Sequence, residues 1–426
     1  MNLRNLMGLY IVGLSLLHAL SPVPSITFDF CLSLICLVGT LFFVRGCTTH
    51  VQFRNTDTAF GLVFLLGLLP LIFSPTSVGS QNMKYASIFF LVWLLNYWWV
   101  REWLGLAKIS ILDVSKFAAT SALVLSACVY LEIVTSNLLG LYISDFIPFS
   151  ISNFPQATIL GSSFQRPRVF SSEAGFTSIA FECLLPVATI YLHQRRDKML
   201  LFMCAVLPAY IALGSASSFL GFAIVLWTYS FLVRQASIGA WLLVAFIVVI
   251  AGFLYFTETG QYLYQEIIGR KLDILFTDPA LSENEVFGRR EAYTFGYHVL
   301  SNNFFGIGWG AISQANQDGA RIYGQFVVSS GLISLFLEIA VATGILGFVI
   351  TAGIFLSKLV GLARQKTYEA HAVYFSLLWV ALHHVFVFEF WFPMIWFSLA
   401  VADLVLKNSQ TSRKPMVRQL YRPRWN

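Results

Sequence analysis

The chain has 426 residues, of which 57% are hydrophobic and only 11% are charged, and its formal net charge is +6. About a quarter of the residues of a soluble domain are charged, so this composition excludes an ordinary soluble protein and indicates a polytopic membrane protein. An apolar run of about 20 residues is long enough to cross a bilayer as a helix. About twelve such runs occur, at 5–21, 26–44, 58–74, 84–100, 116–136, 173–192, 199–213, 217–233, 239–256, 338–360, 371–389 and 391–407.

The runs form three groups of helices, separated by two long connections and followed by a tail. We predict an all-α polytopic membrane fold of about 12 transmembrane helices, with short amphipathic helices in a large outer loop. Two alternatives stay open: the first run could be a signal peptide, because Arg4 precedes it, and 199–233 could be one re-entrant unit. The predicted segments are 1–136 (N-terminal transmembrane helices), 137–172 (first outer loop), 173–256 (central transmembrane helices), 257–337 (large outer loop), 338–407 (C-terminal transmembrane helices) and 408–426 (basic cytoplasmic tail).

Lysine and arginine concentrate in alternate connections, which the positive-inside rule assigns to the cytoplasm. This asymmetry predicts that both termini are cytoplasmic. The basic balance follows from the same asymmetry and from the tail, so it does not suggest nucleic acid as a partner. The six cysteines show no disulfide framework and no metal-ligand spacing. We therefore expect neither a metal nor a cofactor.

Arginines in the two predicted outer loops break this pattern. In the first loop, Arg166 and Arg168 stand just ahead of Glu173 and a long apolar run. Glu173 falls in the first turn of the predicted helix, where the helix dipole favours an anion. The stretch therefore predicts a helix that enters the membrane with a carboxylate in its first turn and two guanidinium groups close before that turn. A capped helix with a plain Arg–Glu pair is the alternative.

The large outer loop contains two stretches with helical apolar spacing, Gln261–Leu275 and Arg289–Leu300. Both are predicted to lie on the membrane surface or to cap a cavity. The second stretch is followed by a break at Asn302–Asn303. Arg289 and Arg290 stand at its start, against the preference of the helix dipole, and this placement suggests an anionic partner.

Three glycines follow that break, in the pattern Gly306-x-Gly308-x-Gly310. The pattern resembles part of a nucleotide-binding fingerprint. It follows a helix instead of a strand, however, which is the wrong context for that motif. We predict a turn.

A few ionisable residues fall inside the apolar runs or at their ends, and each is either a buried polar contact or part of a cavity wall. Glu182 follows Glu173 by nine residues, which rotates it about half a turn away on a helix. The two carboxylates are therefore not expected to form one pair, and Glu182 is expected to bond to neighbouring helices. The other such residues are Glu132, Glu338, His383 and His384.

Three blocks of the sequence resemble the O-antigen polymerase and ligase superfamily, the Wzy-type membrane glycosyltransferases. They are RPRVFSSEAGFTSIAF at 166–181, GRREAYTFGYHVLSNNFFGIGWGAI at 288–312 and LFLEIAVATGILGFV at 335–349. The first is similar to the family's Arg, Gly/Phe turn, Glu-Pro-Ser and apolar helix, and the others are similar to its glycine-rich blocks. Two departures matter. Ala174 stands where the family usually has proline, and Ile333-Ser334 stands where ligases typically have His-Asn, which favours the polymerase.

The resemblance implies polymerisation of oligosaccharide repeat units carried on undecaprenyl pyrophosphate, in the synthesis of a bacterial surface polysaccharide or exopolysaccharide. The reaction would take place on the outer (periplasmic) face of the inner membrane. The implied partners are the lipid-linked donor and acceptor and the bilayer, with a chain-length regulator and a flippase as further candidates. The nearer alternative is an O-antigen ligase or a protein-glycosylating relative. The more distant alternative is a lipid-linked glycan flippase. A flippase is expected to have two related halves, and the sequence shows no internal repeat.

The chemistry that the resemblance implies requires fixed cations for the charge that develops on the leaving pyrophosphate. Arginine suits this role because its planar fork makes bidentate bonds to phosphate. The candidates for binding the pyrophosphate are Arg166 and Arg289, with Arg168 and Arg290 as alternates.

The same chemistry requires a base that takes the proton of the acceptor hydroxyl. Glu173 is the first candidate and His298 the second. Tyr293, Tyr297 and Trp309 could stack on sugar faces, although packing explains these aromatic residues equally well.

Overall fold

The chain is almost entirely helical where the computed structural model describes it. The described residues are 3–17, 28–44, 53–70, 80–141, 167, 169, 174–193, 195–213, 215–232, 289–312, 321–322, 325–326, 334–387 and 392–412. The first helices are α1 (Leu3–Leu17), α2 (Phe28–Val44), α3 (Asn55–Leu66), α4 (Ser80–Val92), a π-helical segment (Trp93–Trp98), α5 (Trp99–Leu106) and α6 (Ile111–Leu139). The remaining elements are α7 (Ala174–Leu192), α8 (Arg196–Ala212), α9 (Ala216–Leu232), α10 (Arg289–Asn302), β1 (Arg321–Ile322), β2 (Gln325–Phe326), α11 (Leu335–Ala363), α12 (Tyr368–His383) and α13 (Pro393–Ser412).

Three of these helices, α6, α7 and α11, are long and apolar enough to cross a membrane by length and composition. Shorter apolar helices lie at Leu3–Leu16, Phe30–Leu41 and Ser217–Thr228. The helical membrane character of the chain is therefore supported, while a total of about twelve spans stays a prediction. The predicted span 239–256 and the predicted surface helix Gln261–Leu275 lie outside the described residues.

Several helix boundaries have a clear local cause. The Ser110 hydroxyl accepts from the backbone N–H of Asp113 at 3.2 Å, and the Asp113 carboxylate accepts from the backbone N–H of Ser110 at 3.3 Å. This reciprocal capping box starts α6 at Ile111. The helix ends where Gly140 takes a left-handed conformation with φ of 66°, which glycine adopts at little cost.

Three side-chain contacts define one end of the bundle, because they join the starts of α1, α6 and α12 to the end of α7. We call this the first end; at the opposite, second end, α7, α9 and α11 begin and α12 stops. The contacts are Arg4 with Asp113, Ser115 with Tyr191, and His193 stacked on Tyr368. Since α13 runs back from the second end, α1 begins and α13 ends at the first end.

Helix α11 is broken at Gly344, which has φ of 74° and ψ of −177°. The break lies nine residues into the helix, about 14 Å from its start. It exposes backbone groups that a helix would pair, and the glycine turn after α10 satisfies them. The backbone N–H groups of Ile307 and Gly308 donate to the carbonyls of Val341 and Ala342, each at 2.9 Å. Non-helical backbone at membrane depth is tolerated where protein buries it in this way.

Trp309 packs the same glycine turn against α3 and α4. Its side chain is fully buried, and its indole N–H donates to the Phe64 carbonyl at 3.2 Å. The Asn82 amide donates to the Trp309 carbonyl at 2.9 Å, and the Phe89 ring stacks on the indole at 4.3 Å between centroids. Trp309 therefore serves packing, which removes it from the candidate sugar-stacking residues.

Some predicted boundaries differ from the observed helices. The eleventh apolar run was predicted to extend to 389, but α12 ends at His383 because the chain turns there. The predicted C-terminal tail begins at 408, yet α13 continues to Ser412. Hydropathy does not reveal these two ends. The turn that follows α12 contains apolar residues, and the last residues of α13 are polar although they are still helical.

Candidate functional site

A buried polar cluster occupies the place where α7, α8, α9 and α12 meet near the second end. We call it the Glu–His cluster, and its members are Glu182, Tyr210, Ser217, Ser218 and His383. The Glu182 and His383 side chains are fully buried, whereas Ser217 is only partly buried. Ionisable groups are costly inside an apolar helix bundle and persist where they are paired.

The centre of the cluster is a hydrogen-bonded chain of carboxylate, imidazole and hydroxyl. His383 Nδ1 lies 2.9 Å from both carboxylate oxygens of Glu182. His383 Nε2 lies 2.9 Å from the Ser217 Oγ. With Glu182 ionised the carboxylate accepts, so Nδ1 carries the donated proton. In the neutral imidazole Nε2 then accepts from the Ser217 hydroxyl.

Neighbouring side chains hold these three hydrogen-bonded residues in position. The Tyr210 hydroxyl donates to Glu182 Oε1 at 3.4 Å, and the Ser218 Oγ lies 3.4 Å from His383 Nδ1. The Trp379 indole N–H donates to the Ser218 carbonyl at 3.2 Å and its ring packs edge-on against Tyr210. The ring of His383 is thus fixed between α7 and α9 by contacts on both of its nitrogens.

The cluster lies directly beside the start of α7, which follows the predicted Arg166–Glu173 stretch in the sequence. A methyl group placed on Gly175 would lie 3.9 Å from both His383 Nε2 and the Ser215 Oγ. The Ser215 hydroxyl in turn lies 3.0 Å from the Ser217 hydroxyl. The side of the cluster that carries Ser215 and His383 Nε2 therefore lies beside the first turn of α7.

Helices α10 and α11 reach the same end of the bundle. The Tyr293 hydroxyl, one turn after the first residue of α10, donates to the Val385 carbonyl at 2.7 Å. The backbone N–H of Leu335, which begins α11, lies 3.0 Å from the His384 carbonyl. The arginine-bearing helix and the start of α11 thus both contact the segment that directly follows His383.

The sequence-predicted site residues are only partly described. Arg166, Arg168 and Glu173 lie outside the described residues. Arg289 and Arg290 form the start of α10, as predicted, but their side chains lie outside the description.

The second candidate base, His298, stands on α10, where its Nε2 lies 3.4 Å from the Asn302 side-chain amide. The helix ends at Asn302, which confirms the predicted break at that point. Tyr297 is 74% exposed and therefore remains open for a contact with a ligand.

In the predicted first outer loop the structure describes residues 167 and 169, and Val169 contacts α6. The backbone N–H of Val169 donates to the Glu132 carboxylate, and both residues are buried. Glu132 is therefore a polar contact that anchors this stretch. Val169 has φ of 57°, an unusual conformation for a β-branched residue and one that often accompanies functional segments.

The sequence singled out Glu182 and His383 separately but did not predict that they pair. The expectation that Glu182 bonds to neighbouring helices is correct. Its partner is 201 residues away in the chain, a distance that no local pattern bridges. A usable signal existed, because a buried acid in an apolar span needs a partner and the histidines of α12 were among the few candidates.

His384 adds a second buried histidine next to the Glu–His cluster. Its Nδ1 donates to the Val380 carbonyl at 2.8 Å. Its Nε2 is buried and has no hydrogen-bond partner within the part of the chain that the structure describes. Glu338, the acidic residue near the start of α11, is also buried, and the cap of that helix is Ser334, whose hydroxyl accepts from the backbone N–H of Leu337 at 3.4 Å.

Among the described residues no group of three histidine, cysteine or acidic side chains is arranged to hold a metal ion. Comparisons with family models, curated proteins and solved structures gave no match.

Proposed function

We propose that the protein is a membrane glycosyltransferase that polymerises oligosaccharide repeat units carried on undecaprenyl pyrophosphate. The reaction takes place on the outer face of a bacterial inner membrane, and both chain termini face the cytoplasm. In each cycle an acceptor hydroxyl attacks the first carbon of the donor sugar. The bond from that carbon to the pyrophosphate oxygen breaks, and the lipid pyrophosphate leaves with the electron pair.

The observation that carries this proposal is the convergence at the second end of the bundle. The Tyr293 bond to Val385 brings the helix that starts with Arg289 and Arg290 next to the end of α12. The buried Glu182–His383 pair lies there, beside the start of α7. A glycosyl transfer needs an anion-binding group and a proton acceptor within reach of one substrate, and this end of the bundle supplies residues of both types.

The orientation is supported by the distribution of charge. The first end, where α1 begins and α13 ends, receives the lysine- and arginine-rich connections, and the positive-inside rule assigns such an end to the cytoplasm. The second end then faces outward with α10. Arg166 and Arg289 hold the pyrophosphate, with Arg168 and Arg290 as alternates, and Glu173 and His298 are the candidate bases from the sequence.

Two other functions compete with this one. A ligase or protein-glycosylating relative would use the same donor but transfer the glycan once, to a different acceptor. A flippase would carry the lipid-linked glycan across the membrane without breaking the sugar–pyrophosphate bond. Release of undecaprenyl pyrophosphate separates the flippase from both transferases, and the length of the product separates polymerase from ligase.

The test of the arginine role uses Arg289→Ala and Arg289→Lys in purified protein. Binding of the lipid-linked donor and release of undecaprenyl pyrophosphate are measured separately. We expect the alanine variant to lose at least about 100-fold in turnover, because a fixed donor to developing negative charge is removed. The lysine variant should be nearly as impaired, since a point charge cannot replace a bidentate fork.

Arg195→Ala is the matched control, because Arg195 is exposed at the first end and its side chain donates to the Tyr191 hydroxyl at 3.3 Å. It should retain wild-type turnover. Full activity of Arg289→Lys at normal expression would mean that only charge, or nothing, is required at this position.

A further inference from the structure

The chain of Ser217, His383 and Glu182 has the arrangement of an acid–base relay. We propose that these three residues take the proton of the acceptor hydroxyl, with Ser217 as the group that meets the substrate. The inference rests on the proposed glycosyl transfer for the identity of that substrate. It assigns the base to residues other than Glu173 and His298.

The relay runs from a buried carboxylate to the hydroxyl of a partly buried serine. Both links measure 2.9 Å, one between the Ser217 Oγ and His383 Nε2 and one between His383 Nδ1 and Glu182. A hydroxyl bonded to a base, which is in turn oriented by a third group, is the geometry of an activated hydroxyl.

The position of Ser217 adds a second reason. It is the second residue of α9, and the positive end of the helix dipole favours negative charge on its oxygen. The Ser215 hydroxyl, 3.0 Å away, supplies a further hydrogen-bond partner. A hydroxyl that must briefly lose its proton is therefore stabilised from two directions.

The proton balance is complete within the relay and the substrate. As the acceptor oxygen bonds to the donor sugar carbon, its proton moves to the Ser217 oxygen and the proton of Ser217 moves to His383 Nε2. The imidazolium that forms is stabilised by the Glu182 carboxylate. The bond from the sugar carbon to the pyrophosphate breaks and the pyrophosphate keeps the electron pair. His383 then returns its proton to solvent through Ser217.

An activated serine can be detected without any glycan substrate, through its reaction with diisopropyl fluorophosphate. We expect the purified wild-type protein to form an adduct on Ser217, found by mass spectrometry of the peptide. The rate of labelling should fall by at least about 100-fold in His383→Gln and in Glu182→Gln, the range expected when a positioned base is lost. Turnover with a lipid-linked donor should fall by a similar factor in Ser217→Ala while donor binding is kept.

Ser376→Ala is the matched control. The Ser376 hydroxyl of α12 is buried against α7, where it donates to the Cys183 carbonyl at 2.8 Å, so Ser376→Ala also removes one serine hydroxyl from the bundle but leaves the relay intact. It should label and turn over like the wild type. If the variants of His383 or Glu182 do not fold, Ser217→Ala decides alone, because its side chain is small and only partly buried.

The possible outcomes are distinct. The absence of an adduct on Ser217, or equal labelling in His383→Gln, overturns the relay whether or not the protein polymerises glycans. Wild-type turnover in Ser217→Ala overturns it as well. Labelling that depends on His383 in a protein that never consumes a lipid-linked donor supports the relay and overturns the proposed function instead.

Discussion

Charged side chains at the first end of the bundle are bonded to one another, as the Glu–His cluster is at the second end. The Asp403 carboxylate accepts from Lys358 and, at 2.7 Å, from the Tyr97 hydroxyl. Arg101 makes a bidentate pair with Asp57, at 2.6 and 3.0 Å. A buried ion pair contributes little net stability, but removing one partner leaves an uncompensated charge. These residues should therefore be sensitive to single changes and tolerant of paired ones.

Lys358→Met tests this expectation. Loss of the ammonium leaves the Asp403 carboxylate, only 3% exposed, with the more distant Arg54, at 3.7 Å, as its remaining cation. We expect the free energy of unfolding in detergent to fall by about 3 kcal/mol. The double change Lys358→Met with Asp403→Leu should recover part of that loss, because the buried carboxylate is removed, although the Tyr97 hydroxyl then loses its acceptor.

Lys116→Met removes an exposed lysine of α6 and serves as the control, with an expected change within about 0.5 kcal/mol. Equal stability of the Lys358 and Lys116 variants would show that the Lys358–Asp403 pair is not buried as described.

Residue identity predicted part of the candidate site and missed its pairing. The arginines stand out because they fall in loops that are predicted to face outward, where arginine is rare, and Glu182 stands out because an acid in an apolar run is costly. Ser217 carried no signal of its own, since a serine in an apolar helix is common. Its role depends on where α9 begins relative to α12, and that placement arises only from tertiary packing.

Sequence patterns predicted the end of α10 but not the break in α11. The end of α10 at Asn302 was predicted from the paired asparagines, and the glycines after it were predicted to form a turn. The break in α11 was not predicted, because Leu335–Ala363 has an unbroken apolar pattern and Gly344 looks like any small residue in it. The break is produced by a partner segment more than 30 residues earlier in the chain, the glycine turn at 304–309.

Gly344→Ala tests the insertion of that turn into α11. A Cβ at this position would lie 2.2 Å from the Phe304 carbonyl oxygen, and the φ of 74° disfavours any side chain. The backbone conformation alone should cost about 1–3 kcal/mol, and the overlap adds to it. We expect a clear drop in the midpoint of thermal unfolding, together with faster proteolysis in the 303–312 segment.

Gly353→Ala provides the comparison within the same helix, because a Cβ there meets nothing within 4 Å. Alanine is favoured over glycine inside a helix by about 0.5–1 kcal/mol, so this variant should be as stable as the wild type or slightly more so. Equal behaviour of the two variants would mean that α11 is continuous at Gly344.

The two ends of the helix bundle carry different sets of polar side chains. One end carries the Ser110–Asp113 capping box, the ion pairs of Asp57 and Asp403, and the basic connections. The other end carries the Glu–His cluster, the start of α7 and the helix that begins with Arg289. Composition predicted a helical chain with helices apolar enough to cross a membrane, and the orientation taken from alternating charge stays a prediction. The gathering of distant polar residues at one end could not be predicted, since it depends on how the helices pack and not on their individual hydropathy.

The most direct test of the polymerase assignment is incubation of the purified protein with a single lipid-linked repeat unit, followed by sizing of the glycan and assay of free undecaprenyl pyrophosphate. The proposed function predicts a ladder of products that differ by one repeat, with one undecaprenyl pyrophosphate released for each bond formed. The Arg289→Ala variant should give no ladder, and Arg195→Ala should give the wild-type pattern. A product that remains one repeat long, with no release of undecaprenyl pyrophosphate from the native repeat unit, would contradict it.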